Sequence, residues 1–177
     1  MNDAATLDLY GVLTEPATLT MRRLLPAPIE RVWAYLTDDR LRRQWLAAGA
    51  METKVGAPFE FVWRNDELTN PPGARPEGFS AEHRAECRIT ACDPPRKLSF
   101  EWPGVGHVAF DLERKDRRTL LTVVHSRVPD RKTLLGVSAG WHAHLDLLAN
   151  RLAGAEARPF WDEMVRLRRV YEGRLPA

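Results

Sequence analysis

Residues 134–152, LLGVSAGWHAHLDLLANRL, constrain the architecture more than any other segment of the 177-residue chain, because they predict one long amphipathic helix. Large apolar residues recur there at three- and four-residue spacing and fall within about 40° of one line at 100° per residue: Leu134, Val137, Trp141, Leu145, Leu148 and Leu152. Such a helix is about 27 Å long. It can therefore cross a whole sheet, and Gly154 marks its predicted end.

Upstream of this helix, apolar and polar residues alternate in several short runs. Alternation with a period of two is typical of an antiparallel sheet that is covered on one side only. The apolar rows are Phe59, Phe61 and Trp63; His83, Ala85, Cys87, Ile89 and Ala91; Leu98, Phe100 and Trp102; Val108, Phe110 and Leu112; and Leu121, Val123 and His125. Met51, Thr53 and Val55 form a further such run. The long helix can cover these rows, so we predict an α+β protein whose curved antiparallel sheet of six or seven strands wraps around it.

Shorter elements flank this pattern. The first strand is predicted over residues 17–25, and it stops at Pro26 because proline cannot continue the pairing. A helix then starts behind Pro28, and an aspartate at position 38 or 39 can cap a second one over residues 40–46. A last amphipathic helix is predicted over residues 159–171. We expect an N-terminal extension over 1–16, one domain over 17–155, and a C-terminal amphipathic helix within 156–177 packed on that domain.

The irregular connection over residues 64–81 is dense in Pro, Gly, Asn and charged residues. A connection of this length is unusual inside a compact domain and is often a lid or a binding loop. It can equally be a mobile surface loop, and the sequence leaves both interpretations open.

Composition excludes several classes of function. Apolar residues make up 44% and charged residues 28% of the chain, which is ordinary globular usage. The formal charge is only +2, so we expect no nucleic-acid partner, which would need a clustered basic face. No window approaches the roughly 18 consecutive apolar residues of a membrane span. The first 15 residues carry acidic groups where a secretory signal has a basic start. We therefore expect no membrane partner.

Cysteine usage predicts the compartment. Cys87 and Cys92 lie five residues apart in one predicted strand, so their side chains should point to opposite faces about 16 Å apart. They cannot then form a disulfide with each other. Without a disulfide framework or a signal, a cytoplasmic location is expected.

Histidines are the main candidates for chemistry. His142 and His144 form an HxH pair, but on a helix such residues face nearly opposite ways and cannot chelate one ion. His125 is predicted to point into the interior at the end of a strand, where it could orient a ligand or act as a general base. His144 and His83 could reach the same interior. Each can instead be a buried histidine that bonds to neighbouring backbone.

Other catalytic patterns are missing from the sequence. It contains no GxSxG elbow and no Gly-rich phosphate loop, and neither cysteine has an activating neighbour. His125 is therefore the single catalytic candidate, and we expect no metal and no cofactor.

Several short motifs form a recognisable set. They are RLLPAPIERVW over residues 23–33, LTDD over 36–39, QW over 44–45, KVGAPF over 54–59, DPPRKL over 93–98, TVVHS over 122–126 and GWHAHL over 140–145. Together they resemble the SRPBCC superfamily, and more narrowly its Activator of Hsp90 ATPase homologue 1-like branch. The resemblance covers about residues 17–155.

The resemblance implies the helix-grip (START/Bet v 1-like) fold with a hydrophobic cavity that often binds a ligand, but no single chemistry. The superfamily includes lipid carriers, plant hormone receptors, cyclases and Hsp90 co-chaperones. The eukaryotic co-chaperone has a separate N-terminal Hsp90-binding domain that is not seen in this sequence, so literal Hsp90 activation is not expected.

The leading hypothesis is a protein that binds a small apolar ligand of unknown identity. The alternatives are a cyclase, hydrolase or isomerase with His125 as general base, and a co-chaperone-like or stress-related interaction module. A homodimer could form through a sheet edge or the C-terminal helix. Large aromatic residues can either fill a core or line a pocket, and the expected ligand-binding residues are Phe59, Phe61, Trp63, His83, Phe100, Trp102, Phe110, Val123, His125, Trp141, His144 and Leu145.

Overall fold

The computed structural model describes residues 7–177 and shows a seven-stranded antiparallel sheet gripping a long helix. The strands are β1 Val12–Glu15, β2 Thr18–Leu25, β3 Pro58–Trp63, β4 His83–Asp93, β5 Lys97–Trp102, β6 Gly106–Lys115 and β7 Arg118–Ser126. The helices are α1 Ile29–Thr37, α2 Asp39–Arg42, α3 Arg131–Ala153 and α4 Phe160–Arg174. The predicted α+β helix-grip fold, with two short helices before the main sheet and one long helix after it, is confirmed.

The strand order is β1-β2-β7-β6-β5-β4-β3. Strands β3 to β7 pair as consecutive antiparallel neighbours, and β2 joins the far side of β7 in register from Leu19↔His125 to Leu25↔Thr119. The first long strand and the last one therefore lie side by side, and α3 follows directly after β7. This connection places α3 against the concave face of the sheet.

The apolar rows meet α3 as the sequence predicts. Phe61 and Phe100 are buried with their ring centroids 5.4 Å apart, and Leu145 and Leu148 of α3 are fully buried as well. Removing such a side chain from water contributes about 1.5–3 kcal/mol. The predicted concave wall closed by the long helix is therefore confirmed.

The helix ends follow the predicted signals. The carboxylate of Asp38 accepts a hydrogen bond from the backbone N–H of Arg40, and Asp130 caps α3 by accepting from Thr133. Gly154 ends α3 in the left-handed conformation at φ 66°. Helix α2 stops at Arg42, before the predicted end at residue 46. The buried guanidinium of Arg42 donates to the backbone carbonyls of Leu36, Thr37 and Ala47, which holds the following turn in a non-helical path.

The predicted strand over residues 51–55 is wrong. These residues form no strand, and Val55 is 60% exposed. Before these residues, Ala48 already pairs with Val62 of β3 in an isolated antiparallel bridge. The next residue, Gly49, has φ 124°. A Cβ on Gly49 would lie 1.9 Å from the carbonyl oxygen of Glu60, so the chain crosses too closely there to continue as a regular strand.

The prediction that Cys87 and Cys92 face opposite ways is also wrong. The register of β4 against β5 shifts by one residue between Ile89↔Phe100 and Ala91↔Ser99, which is a β-bulge. The extra residue reverses the alternation, so Cys92, opposite the buried Leu98, lies on the concave side like Cys87. Both thiols are free, and burial raises the pKa of Cys87 to about 12.

Residues 12–15, assigned from the sequence to an N-terminal extension, form the edge strand β1 against β2. The segment is four residues long with a mixed burial pattern. Alternation over so few residues is too weak to predict a strand.

Candidate functional site

A pocket of about 380 Å³ opens between α3, α4, the 64–81 connection and the end of the sheet. This volume lies in the range of small-molecule sites. The residues that line it are mostly apolar: Leu46, Trp63, Asn65, Gly78, Phe79, Ser80, His83, Trp102, Gly136, Val137, Gly140, Trp141, His144, Trp161 and Met164. We call it the tryptophan pocket, because four tryptophan side chains line it.

Two of these rings stack on each other at the end of the sheet. Trp63 at the end of β3 and Trp102 at the end of β5 stack with centroids 5.2 Å apart and an interplanar angle of 21°. They meet because each is the last inward-facing residue of its strand, and both strands run antiparallel to β4 and finish at the same end of the sheet. Trp141 of α3 and Trp161 of α4 stand on the helical side.

The 64–81 connection forms the cover of the pocket. Phe79, 45% exposed, packs its ring 5.2 Å from Trp161. The first part of the connection is tied to α4, since the indole N–H of Trp161 donates to Asp66 and its backbone N–H donates to the carbonyl of Pro72. The lining residues Gly78 to Ser80 therefore extend from an anchored base.

Two glycines on α3 leave the space open. Gly136 and Gly140 are one helical turn apart and both line the pocket. A Cβ on Gly140 would lie 3.7 Å from Cε of Met164, and one on Gly136 would lie 3.8 Å from a guanidinium nitrogen of Arg168. These are ordinary contact distances, so small side chains would fit, whereas long ones would enter the pocket.

His144 is the most deeply buried polar residue of the lining. Its Nδ1 lies 2.7 Å from the carbonyl oxygen of Trp45, which can only accept, so Nδ1–H donates. Burial lowers the pKa of the ring to about 4, and the imidazole is neutral near pH 7. Nε2 then carries a lone pair, and within residues 7–177 it has no hydrogen-bond partner. His144 thus presents an acceptor without a donor.

His83 and Asn65 add polar groups nearer the surface. His83 is exposed at the start of β4, and its ring lies 5.5 Å from that of Trp63. Oδ1 of Asn65 is buried without a hydrogen-bond partner among the described residues. Both line the pocket, which brings polar atoms to its rim.

His125 lies beneath the pocket and does not line it. The indole N–H of Trp141 donates to Nδ1 at 3.0 Å, so the other ring nitrogen, Nε2, carries the proton and donates to the carbonyl of Val105 at 3.1 Å. The ring is fully buried, and burial lowers its pKa to about 4. Both nitrogens are used, and their effect is to hold Trp141 in the pocket wall.

The structure divides the predicted binding residues into two groups. Five of them line the pocket: Trp63, His83, Trp102, Trp141 and His144. Seven pack in the core behind it: Phe59, Phe61, Phe100, Phe110, Val123, His125 and Leu145. Alternation places a side chain on the concave face, but it does not tell whether that position lies under the middle of α3 or at the open end.

Sequence reasoning missed the residues that come from the cover and from α4, above all Phe79, Trp161 and Met164. Trp161 is one position from the predicted apolar stripe of the last helix, and an indole beside such a stripe was a usable signal. Phe79 sits among Gly and Ser in an irregular segment, where no periodicity exists. Gly136 and Gly140, four residues apart beside the apolar stripe of α3, were the remaining signal in the sequence.

A second polar cluster, the Arg23–Tyr171 network, lies on another side of α3. The guanidinium of Arg23 contacts Asp146 at 3.1 Å, Asp146 lies 3.5 Å from His142, and Nδ1 of His142 lies 2.9 Å from the hydroxyl of Tyr171. The same hydroxyl accepts the backbone N–H of Gly11 at 2.8 Å. The network therefore docks the N-terminal segment onto α3 and α4.

Charge and metal chemistry contribute little to the pocket. None of the lining residues is Asp, Glu, Lys or Arg. Within the described part of the chain, no group of three or more His, Cys, Asp or Glu side chains could hold a metal ion. None of the helices between residues 7 and 177 is long and apolar enough to cross a membrane.

Comparison with known proteins agrees with this architecture. A protein of Bordetella parapertussis with a known solution structure is 36% identical, with a TM-score of 0.79 over 99% of this chain and 95% of that one. The crystal structure of CalU16 from Micromonospora echinospora is 21% identical, with a TM-score of 0.64 over 93% of each chain. A protein of Arthrobacter aurescens is 18% identical, with a TM-score of 0.64 over 82% of this chain and 92% of that one.

The latter two likenesses show the fold alone. No curated protein matches the sequence. Residues 26–153 match the family described as Activator of Hsp90 ATPase homolog 1-like protein. Because that match covers most of the chain and the Bordetella relative is similar over nearly all of it, this chain belongs to the Activator of Hsp90 ATPase homologue 1-like branch of the SRPBCC superfamily.

Proposed function

We propose that the chain is a binding protein for a small apolar ligand and that the tryptophan pocket is its binding site. The observation that carries this proposal is a cleft of about 380 Å³ that opens to the surface and is lined by four tryptophan side chains. Contiguous apolar surface that is left open to water often marks a ligand-binding groove.

Two further features support binding. The pocket is lined by apolar side chains with a few polar atoms, which is the usual composition of small-molecule sites. The glycines on α3 keep it open where alanine or leucine would be better helix formers. A chain that needed only a filled core would gain stability from larger residues there.

The contacts of His125 weigh against a general base at that position. A base needs an accessible lone pair within reach of the substrate, whereas Nδ1 of His125 accepts from Trp141 and Nε2 donates to Val105. Its contacts are those of a positioning residue for Trp141. The interaction-module alternative and the homodimer remain predictions from the sequence, as does the cytoplasmic location, with which the two free thiols are compatible.

The test is a thermal-shift screen with a library of neutral hydrophobic compounds, since a ligand that binds the folded state alone raises Tm. Compounds that raise the Tm of the native protein should have no effect on Gly140→Leu, whose side chain would occupy the pocket. Gly173→Leu is the matched control, because a Cβ at Gly173 of α4 meets nothing within 4 Å. The proposal fails if the hits stabilise Gly140→Leu as much as the native protein.

A further inference from the structure

We propose that the ligand of the tryptophan pocket is a neutral, planar aromatic compound that donates a hydrogen bond to Nε2 of His144. This inference rests on the proposed function and names the chemistry that the same site would select. Three properties of the pocket carry it: the indole rings of its lining, the absence of Asp, Glu, Lys and Arg from that lining, and the unpaired acceptor of His144.

The indole rings of the lining favour an aromatic ligand. Trp63 and Trp102 stack on each other, and His83 and His125 cover their outer faces, so the two indoles turn their edges to the pocket. Trp141 and Trp161 line the same space from the helices. Aromatic rings gain about 0.5–1.5 kcal/mol beyond area burial from offset-stacked or edge-to-face contacts. A flexible alkyl chain would gain only the burial and would lose more conformational freedom.

The lining disfavours a charged ligand. None of the lining residues is Asp, Glu, Lys or Arg, so an anion or a cation would lose part of its hydration without contacting a permanently charged side chain of the lining. His144 cannot supply one near pH 7, because burial lowers its pKa to about 4. We therefore expect carboxylates and phosphates to bind more weakly than neutral compounds of the same shape.

The polar anchor selects a donor. Nδ1–H of His144 is committed to the carbonyl of Trp45, and Nε2 is an acceptor without a partner among residues 7–177. The hydroxyl of Ser80 donates to the backbone carbonyl of Glu82, and the indole N–H of Trp161 donates to Asp66, so both donors are engaged elsewhere. Oδ1 of Asn65 is a second acceptor without a partner among the described residues, and it too would favour a donor on the ligand. A buried acceptor left without a donor destabilises the complex. An O–H or N–H group on the ligand removes that cost.

The experiment compares the affinity of four naphthalene probes by fluorescence titration: 2-naphthol, 2-methoxynaphthalene, 2-naphthoate and the 2-naphthyltrimethylammonium cation. We expect 2-naphthol to bind about tenfold more tightly than 2-methoxynaphthalene, which corresponds to one well-formed hydrogen bond to a buried group. Both should bind more tightly than the anion and the cation.

The variant His144→Asn isolates the anchor. Its amide N–H₂ can keep the bond to Trp45 that Nδ1–H makes, but it lacks the acceptor at the position of Nε2. The preference for 2-naphthol over 2-methoxynaphthalene should vanish in this variant and persist in His107→Asn, a histidine on the other face of the sheet bonded to Thr90. If His144→Asn does not fold, the ¹⁵N shift of Nε2 in the native protein must change when 2-naphthol is added.

The possible failures are distinguishable. If both neutral probes bind equally in the native protein, or if the charged probes bind more tightly, this inference is overturned while the pocket remains a binding site. If no probe binds and the thermal-shift screen also finds no compound sensitive to Gly140→Leu, the proposed function fails, and the inference fails with it.

Discussion

His142 and His144 lie two positions apart in α3 and occupy opposite kinds of environment. His142 belongs to the Arg23–Tyr171 network, where Asp146 and the hydroxyl of Tyr171 face its ring nitrogens. His144 bonds to backbone through one nitrogen and leaves the other unpaired beside the tryptophan pocket. Both rings are buried, and burial lowers the pKa of each to about 4.

The two histidines lie in two different regions: His142 in a packed polar network, and His144 beside an open, mainly apolar pocket. On the network side, large side chains fill the space and most of their polar atoms are paired. On the pocket side, Gly136 and Gly140 leave room, and Nε2 of His144 lacks a donor. Truncation should therefore destabilise the network side, whereas the pocket side should tolerate or even gain from enlargement.

Lowering the pH should protonate buried histidines in both regions of α3, and we expect it to cause the largest loss of stability. The folded-state pKa values of His125, His142 and His144 are lowered to about 4 from 6.5, so the unfolded chain binds more protons between these pH values. Their contribution to stability is complete above about pH 6.5 and is lost as the pH falls towards 4. At about 1.4 kcal/mol per pKa unit, each of the two deepest, His125 and His144, accounts for about 3 kcal/mol.

Urea unfolding at pH 7.5 and pH 4.5 checks this prediction. Asp146 partly opposes the trend, because burial raises the pKa of its carboxyl group. A free energy of unfolding that is equal at the two pH values would contradict the expected burial of the neutral imidazoles. The variant His142→Gln should show a smaller pH dependence than the native protein.

On the network side, Asp146→Ala should lower the free energy of unfolding by about 3 kcal/mol, because it leaves the guanidinium of Arg23 buried without its carboxylate. Arg23 is only 3% exposed, and its remaining hydrogen bonds go to the neutral backbone carbonyls of Leu9 and Arg22. Urea denaturation measures the loss. The matched control is Glu113→Ala, which breaks an exposed pair with Lys115 and should change stability by less than about 0.5 kcal/mol.

Tyr171→Phe should lower the free energy of unfolding by about 2 kcal/mol, because the lost hydroxyl bonds to both the backbone N–H of Gly11 and Nδ1 of His142. Faster hydrogen exchange of the Gly11 amide would show that the N-terminal segment is released. Tyr35→Phe is the control, because the hydroxyl of Tyr35 makes no hydrogen bond within the described residues. Equal losses in the two variants would mean that the network does not hold this segment.

The smallest expected effect has the opposite sign. Gly140→Ala should stabilise the protein by about 0.5–1 kcal/mol, because alanine is the better helix former and its Cβ meets Met164 at an ordinary distance of 3.7 Å. Gly106→Ala should destabilise it, since Gly106 has φ 135° and its Cβ would lie 2.3 Å from a carbonyl oxygen of Ser126. Thermal unfolding of both variants measures the two changes in stability. A Gly140→Ala variant with a lower Tm than the native protein would contradict the prediction.

Long-period patterns in this sequence were readable because burial on one face repeats over many residues. Leu134 to Leu152 predicted α3, and the rows containing Phe61, Phe100 and Phe110 predicted the concave wall, which the structure confirms. Where one residue changes the register, the pattern fails. The bulge in β4 reversed the face of Cys92, and nothing in the local residue types marks that insertion.

The candidate site was predictable only in part. Trp63, Trp102, Trp141 and His144 could be placed towards the interior from their own elements, and all four line the pocket. Phe79 and Trp161 reach it from segments distant in the chain, through contacts such as that of Trp161 with Asp66. Such contacts leave no periodic signal.

Periodicity determined the long helix, strands β3 to β7 as apolar rows, and the sheet that wraps around the helix, because each of these follows from short-range repetition along the chain. Tertiary packing decided which inward residues fill the core and which border the pocket. It also decided that His125 holds Trp141 and that His144 keeps a free acceptor. Those outcomes depend on which segments meet at the end of the sheet, and the meeting of distant segments is a property of the folded chain.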